Sequence, residues 1–316
     1  MEANHKEGAV DIRKEIERLR KEKKALIMAH YYQREEIQEI ADFIGDSLAL
    51  ARKASETDAE VIVMCGVHFM GETAKILCPD KKVLVPDLKA GCSLADSCDP
   101  EKFARFVAEH PDHTVISYVN TSAAVKAHTD IVVTSGNARK IVEALPADEK
   151  IIFGPDRNLG EYINSVTGRS MVLWNGACHV HDRFSLEKIM EMKRSHPEAK
   201  ILVHPECRRP LQLIADKVGS TAALLDFARE DEAKEYIVVT ESGILFEMRK
   251  ACPEKIFLAA PAEDAECQCN ECDYMKLNTL RKVYEALRDE QPEIIVDPEI
   301  AEKAVRPIER MLEMSK

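Results

Sequence analysis

One order of residues returns three times along this chain. A short apolar run ends on polar residues: Ala25–Ala29 before His30-Tyr-Tyr-Gln33, Val115–Val119 before Asn120-Thr-Ser122, and Ile201–Val203 before His204-Pro-Glu-Cys207. A loop serine follows (Ser47, Ser135, Ser220), then a second apolar run, a glutamate (Glu72, Glu161, Glu247), a third run, and cysteine. From the polar strand end to the serine is 17, 15 and 16 residues (His30 to Ser47, Asn120 to Ser135, His204 to Ser220), and to the glutamate 42, 41 and 43. Spacing this regular marks a repeated structural unit, and it constrains the fold more than any single motif. Short apolar runs alternating with helical stretches, such as Ile37, Ile40, Ala41 and Ile44, predict parallel strands joined by right-handed crossovers. The expected fold is therefore α/β: three similar small parallel-sheet α/β/α domains in pseudo-threefold arrangement around one central site.

The 316 residues exceed what one hydrophobic core usually holds, which agrees with several domains. The expected boundaries are an N-terminal helical flank at 1–24, repeats at 25–112, 113–197 and 198–275, and C-terminal helices at 276–316 that pack back on the repeats. The flank places Ile12, Ile16 and Leu19 at helical spacing among charges, and the tail does the same with Leu280, Val283, Tyr284 and Leu287. A net charge of -12 leaves no basic footprint for nucleic acid or an anionic membrane. The first residues hold no apolar signal core, and nowhere do about 18 apolar residues run together. A cytoplasmic protein is expected, whose ten cysteines serve as thiols or metal ligands rather than disulfides.

Open parallel sheets carry their functional groups at the carboxyl ends of the strands, and here those ends offer His30, Tyr32, Tyr118, Asn120, His204 and Glu206. Cys267-Gln-Cys-Asn-Glu-Cys272 packs three thiols into six residues, and Cys92 and Cys178 follow glycine-containing turns upstream. One sulfur from each repeat could meet at a soft metal or an iron–sulfur cluster. The plainer reading is cysteine as a small apolar side chain. Each loop serine, taken alone, is more simply a helix cap than an anion donor. Its return in all three repeats favours the donor.

Several stretches together resemble the quinolinate synthase family. They are His30-x-Tyr32-Gln33, Ala41-Asp-Phe-Ile-Gly-Asp-Ser47, Tyr118-Val-Asn120, Gly154-Pro-Asp-Arg-Asn-Leu-Gly160, Asn175-Gly-Ala-Cys178-x-x-His181, Val203-His-Pro-Glu-Cys207, Val218-Gly-Ser-Thr221 and Met275-Lys-x-Asn-Thr279. The resemblance implies three α/β domains around a 4Fe-4S cluster, one cysteine from each, and condensation of iminoaspartate with dihydroxyacetone phosphate to quinolinate in NAD biosynthesis. It implies cluster ligands Cys92, Cys178 and Cys272. Counting from Glu247 by the intervals of the first two repeats points nearer Cys267, while Tyr274-Met-Lys-x-Asn after Cys272 matches the family. Cys267 and Cys269 are left to pair with each other or to have no role. Three thiolates on a cubane would leave one iron open as a Lewis acid. Ser47 and Ser135-Gly136 would take the phosphate, with His30 near that substrate. The resemblance assigns Tyr118, Asn120, His204, Ser220 and Thr221 to the dicarboxylate. Tyr32 and Glu206 are expected to carry protons. An oxidase that makes iminoaspartate is a candidate partner.

Two other classes compete. The iron–sulfur enzymes of diphthamide synthesis are similar in architecture, but they modify a protein, whereas His204-Pro-Glu and Tyr118-Val-Asn suit a small dicarboxylate. A metal-binding redox sensor would not need so many polar strand ends.

Overall fold

A computed structural model describes residues 11–263 and 270–316. Helix α1 (Ile12–Glu22) leads into β1 (Ala25–His30), α2 (Glu35–Gln38), β2 (Phe43–Gly45), α3 (Ser47–Glu56), β3 (Val61–Cys65), α4 (His68–Leu77) and β4 (Lys82–Leu84). After α5 (Ser93–Asp96) and α6 (Pro100–Ala108) the pattern returns as β5 (Thr114–Tyr118), α7 (Ala123–Lys126), β6 (Ile131–Val133), α8 (Ala138–Ala144), β7 (Ile151–Gly154), α9 (Arg157–Thr167) and β8 (Val172–Leu173). A third pass follows α10 (Leu186–Ser195): β9 (Lys200–Val203), α11 (Arg209–Leu213), β10 (Lys217–Val218), α12 (Thr221–Glu230), β11 (Glu235–Val239), α13 (Ile244–Ala251) and β12 (Ile256–Ala259). Helices α14 (Leu280–Asp289) and α15 (Pro298–Met314) close the chain. The three four-stranded sheets share one order, β2-β1-β3-β4, β6-β5-β7-β8 and β10-β9-β11-β12, and every pair within them is parallel. The triplicated α/β architecture is thus the one the sequence predicts.

Strand alternation explains why the sheets share a centre. Met28, Ile62, Ile116, Phe153, Leu202 and Val238 all belong to one apolar core, while their neighbours face separate outer cores. Ile27 and Val63 pack with Leu19 of α1 and Val283 of α14; Val115 and Ile152 pack with Phe103 of α6; Ile201 and Ile237 pack with Ile189 of α10. Helices α6 and α10 therefore cover the sheets that follow them in the chain. On the inward parity, two residues beyond Met28, Ile116 and Leu202 stand His30, Tyr118 and His204.

The structure corrects two expectations. The apolar spacing Ile37, Ile40, Ala41, Ile44 is not one helix, because α2 ends at Gln38 and Ile44 pairs with Ala29 across β1 and β2. An aspartate redirects the chain: Asp42 accepts from Ile27 N–H at 2.9 Å and donates its own N–H to Ile27 O at 2.8 Å. Asp130 does the same to Val115, and Asp216 to Ile201.

The second correction concerns the register of the repeats. His30 pairs with Gly45, Tyr118 with Val133, and Val203 with Val218, so Tyr118 rather than Asn120 is the counterpart of His30 and His204. Counted from these residues, the position 17 along holds Ser47, Ser135 and Thr221. Ser220 falls one earlier, at the place of Asp46, and both cap a helix: Asp46 accepts from Ala49 N–H and Ser220 from Ala223 N–H. Side-chain polarity misplaced the origin, since a tyrosine can end a strand on its buried face.

Candidate active site

The carboxyl ends of the three sheets meet around one shared cavity. The first sheet and its loops supply His30, Tyr32, Ser47 and Cys92; the second supplies Tyr118, Asn120, Ser135, Cys178 and His181; the third supplies His204, Glu206, Thr221, Glu241 and Cys272. Of the residues expected at the site, Ser220 and Gly136 are absent from this lining, the Ser220 hydroxyl being turned to its own helix. Cys267 and Cys269 lie outside the described residues.

His30 and His204 are set by the same local device. The N–H two residues on donates to each Nδ1, from Tyr32 at 3.1 Å and from Glu206 at 3.3 Å. Burial pushes both rings down to about 3, so they are neutral near pH 7 and carry their proton on Nε2. The sign for stability follows. A histidine that is neutral when folded but titrates at about 6.5 when unfolded contributes its full stability above pH 6.5 and loses it as pH falls toward 3. The melting temperature of metal-free protein should therefore fall between pH 7 and 4, and His204→Gln should flatten that slope. An unchanged slope in the variant would contradict the buried neutral ring.

A chain of buried hydrogen bonds crosses all three repeats. Thr221 Oγ1 lies 2.8 Å from Tyr32 Oη, which lies 2.8 Å from Thr240 Oγ1, which lies 2.9 Å from His181 Nε2. On its other side His181 Nδ1 stands 3.2 Å from Glu206 Oε2 and 3.3 Å from Cys178 Sγ, and Glu206 Oε1 accepts from Tyr118 Oη at 2.6 Å. The His181–Glu206 approach is close without hydrogen-bond alignment, so Oε2 remains a buried oxygen with no hydrogen-bond partner. Burial pushes the Glu206 carboxyl up, but His181 and the Tyr118 hydroxyl outweigh it and hold the group below the usual carboxylate range. Burial drives Tyr32 and Tyr118 well above 10, so both remain phenols.

The donor set fits a soft metal. Cys92, Cys178 and Cys272 reach one cavity from three repeats, and burial pushes their thiols up, to about 12 for Cys92 and about 11 for Cys272. Cys92 and Cys178 are also raised by neighbouring cysteines, Cys92 by Cys272 and Cys178 by both others. Burial keeps all three as neutral thiols without metal, and only a bound cation would draw off their protons to give thiolates here. Carboxylates hold two of the cysteine loops: Asp156 accepts from Cys178 N–H at 3.2 Å and Glu241 from Cys272 N–H at 3.0 Å. Burial raises Glu241 to about 7 against the pull of Lys276, whose Nζ is 3.0 Å away. A tighter group, Cys178, His181 and Glu206, has ligand atoms within 4.8 Å of one another and could itself hold an ion. Sequence reasoning had His181 in a motif without a role, though its spacing from Cys178 was a signal. Asp156 likewise stood in the Gly154–Gly160 motif without a role, while Thr240 and Glu241 carried no signal of their own.

Fold and site together define a triplicated α/β enzyme with a thiol-rich centre that can hold a metal. The family model described as quinolinate synthetase A protein matches residues 14–313, and the chain belongs to this family. It is 58% identical over 300 residues to the quinolinate synthase of Microcystis aeruginosa, covering 95% of this chain and 94% of the relative. It is 54% identical over 307 residues to that of Chloroherpeton thalassium (97% and 95%) and 56% identical over 306 residues to that of Nostoc punctiforme (97% and 94%).

Proposed function

We propose that the chain condenses iminoaspartate with dihydroxyacetone phosphate to quinolinate, releasing phosphate and water, with a 4Fe-4S cluster held by Cys92, Cys178 and Cys272. The observation that carries this reading is the meeting of one thiol and one group of polar strand ends from each sheet in a single cavity. Held by three thiolates, such a cluster supplies one open iron as a Lewis acid for loss of hydroxide from carbon.

The residues divide the remaining work. Ser47 stands at the first turn of α3, where its hydroxyl and the helix dipole suit a phosphate dianion. Thr221 opens α12 in the same way, whereas Ser135 lies in the turn three residues before α8. His30 and His204 offer Nε2–H donors, and Tyr118 and Asn120 complete the grip on the dicarboxylate. The Asn120 amide oxygen is buried without a partner, as expected of a group that awaits a ligand. Thr221 rather than Ser220 is the residue we assign to substrate, because it lines the cavity. Tyr32 and Glu206, joined through Thr240 and His181, can pass protons during ring closure and dehydration.

Partners of the reading are the two small substrates and, by chemistry, an oxidase that hands over unstable iminoaspartate. A cytoplasmic setting suits unpaired thiols, and among the described residues no helix is long and apolar enough to cross a membrane.

Ser47→Ala and Ser135→Ala test phosphate recognition. Each should lower kcat/KM for dihydroxyacetone phosphate by about 1 to 3 kcal/mol, the worth of a charge-assisted hydrogen bond, with iron content unchanged. Saturation curves that move only for iminoaspartate would reassign these serines.

A further inference from the structure

The three turns that bring Tyr32, Asn120 and Glu206 to the cavity share a feature that their sequences hide. Six residues after each stands a long, buried donor: Gln38, Lys126 and Gln212. Gln38 Nε2 donates to Tyr31 O at 3.1 Å and to Gln33 O at 2.9 Å, the carbonyls on either side of Tyr32. Gln212 Nε2 donates to Pro205 O at 2.9 Å and to Cys207 O at 2.7 Å, on either side of Glu206. Lys126 Nζ donates to Val119 O at 2.8 Å and to Thr121 O, on either side of Asn120.

We propose that Gln38, Lys126 and Gln212 are positioning residues, a threefold set of donors that fixes the turns carrying Tyr32, Asn120 and Glu206 at the cavity. The inference rests on the functional reading above. Each of these turns leaves its sheet with carbonyls that no strand satisfies, and a buried orphan carbonyl is costly. Pinning two carbonyls on opposite sides of one residue removes the turn's freedom to rotate that residue out of the cavity.

The middle carbonyl is held too in two repeats. Tyr32 O accepts from Lys276 Nζ at 2.8 Å, and Glu206 O from Asn158 Nδ2 at 3.0 Å. The clamps also join the repeats in a ring. Gln38 Nε2 reaches Gly243 O of the third repeat at 3.0 Å, Gln212 Nε2 approaches Asn158 O of the second at 3.5 Å, and the helix of Lys126 receives Glu72 of the first at Ala123 N–H, 3.0 Å. At the first of these joints a side chain is excluded. A Cβ on Gly243 would stand 2.8 Å from Tyr32 Cα.

The chemistry of the position explains why one repeat can use lysine. The amide oxygens of Gln38 and Gln212 are both buried without a partner, so the clamp uses donors alone. An ammonium supplies donors and leaves no orphan acceptor. The two residue types should therefore be exchangeable here, although elsewhere they are not.

Gln212→Met keeps the length and removes the donors. In cluster-loaded enzyme it should lower kcat by about 10- to 100-fold, the scale set by an ångström-sized misplacement, with KM and iron content little changed. Gln212→Lys should recover most of the loss. Added to Glu206→Gln, Gln212→Met should cost less than about twofold more, because it acts through the residue already removed. Losses that multiply in the double variant, or normal turnover in Gln212→Met, would overturn the clamp. Normal turnover in Glu206→Gln alone would instead refute the role given to Glu206. If Gln212→Met does not fold, Lys126→Gln decides: kcat within about twofold of the parent supports exchangeable donors, and a loss beyond tenfold defeats them.

Discussion

Cys92→Ser, Cys178→Ser and Cys272→Ser should each yield colourless, inactive protein, whereas the parent purified without oxygen should be brown with iron and acid-labile sulfide in equal amounts. Each thiol comes from a different repeat, and among the described residues no second cysteine lines the cavity from the same repeat to take its place. A serine hydroxyl is too hard and too weakly acidic to replace a thiolate on iron. Cys267→Ser and Cys269→Ser should keep colour and turnover. Loss of the cluster in Cys267→Ser with retention in Cys272→Ser would show that the interval count from Glu247 was the better guide. The compact Cys178, His181 and Glu206 group makes the sharper rival, since a single ion held there needs only one of the three thiols. In that case His181→Gln would lose the metal while Cys92→Ser and Cys272→Ser kept it. The three-thiol reading expects the reverse.

The architecture was legible because strand-forming runs and crossover helices recur at nearly fixed spacing, and spacing survives when individual residues change. The inward aim of His30, Tyr118 and His204 was legible in principle, since strand parity carries Met28, Ile116 and Leu202 to the shared core. What misled was polarity. Asn120 looked like the end of its strand, yet the last strand residue is Tyr118, a phenol buried against Glu206. With Tyr118 as origin the second interval becomes 17, and the same count from His204 reaches Thr221, named beside Ser220, as the counterpart of Ser47. The relay through Thr240 and His181 was not legible, because it joins residues 59 apart by a contact between sheets. The clamps were hidden differently: glutamine and lysine share no pattern until their common targets, two backbone carbonyls, are seen.

Glu206→Gln should fold, keep its cluster and bind substrate, but turn over about 10²- to 10⁴-fold more slowly, the usual worth of general acid–base help. Pro205 cannot continue the ladder of β9, a central strand, so the chain leaves the sheet and delivers Glu206 to the cavity, 3% exposed. There Oε1 receives the Tyr118 hydroxyl and Oε2 faces His181, so the carboxylate sits between two groups that can give up or accept a proton. With its carboxyl held below the usual range it is a weak base on its own; its value lies in stabilising a proton that passes through its neighbours. The amide keeps the acceptor toward Tyr118 but turns an N–H toward His181 and removes the charge. Because the parent carboxylate is ionised throughout, the loss should be equal at every pH from about 6 to 9. A carboxyl held below its ordinary 4.5 also means stability that is complete above pH 4.5 and is lost as pH falls through the lowered value. Metal-free Glu206→Gln should lack that acid loss. Near-normal quinolinate formation by the variant across the pH range would sink the assignment. Proton transfer would then fall to Tyr32, whose hydroxyl already joins Thr221 to Thr240.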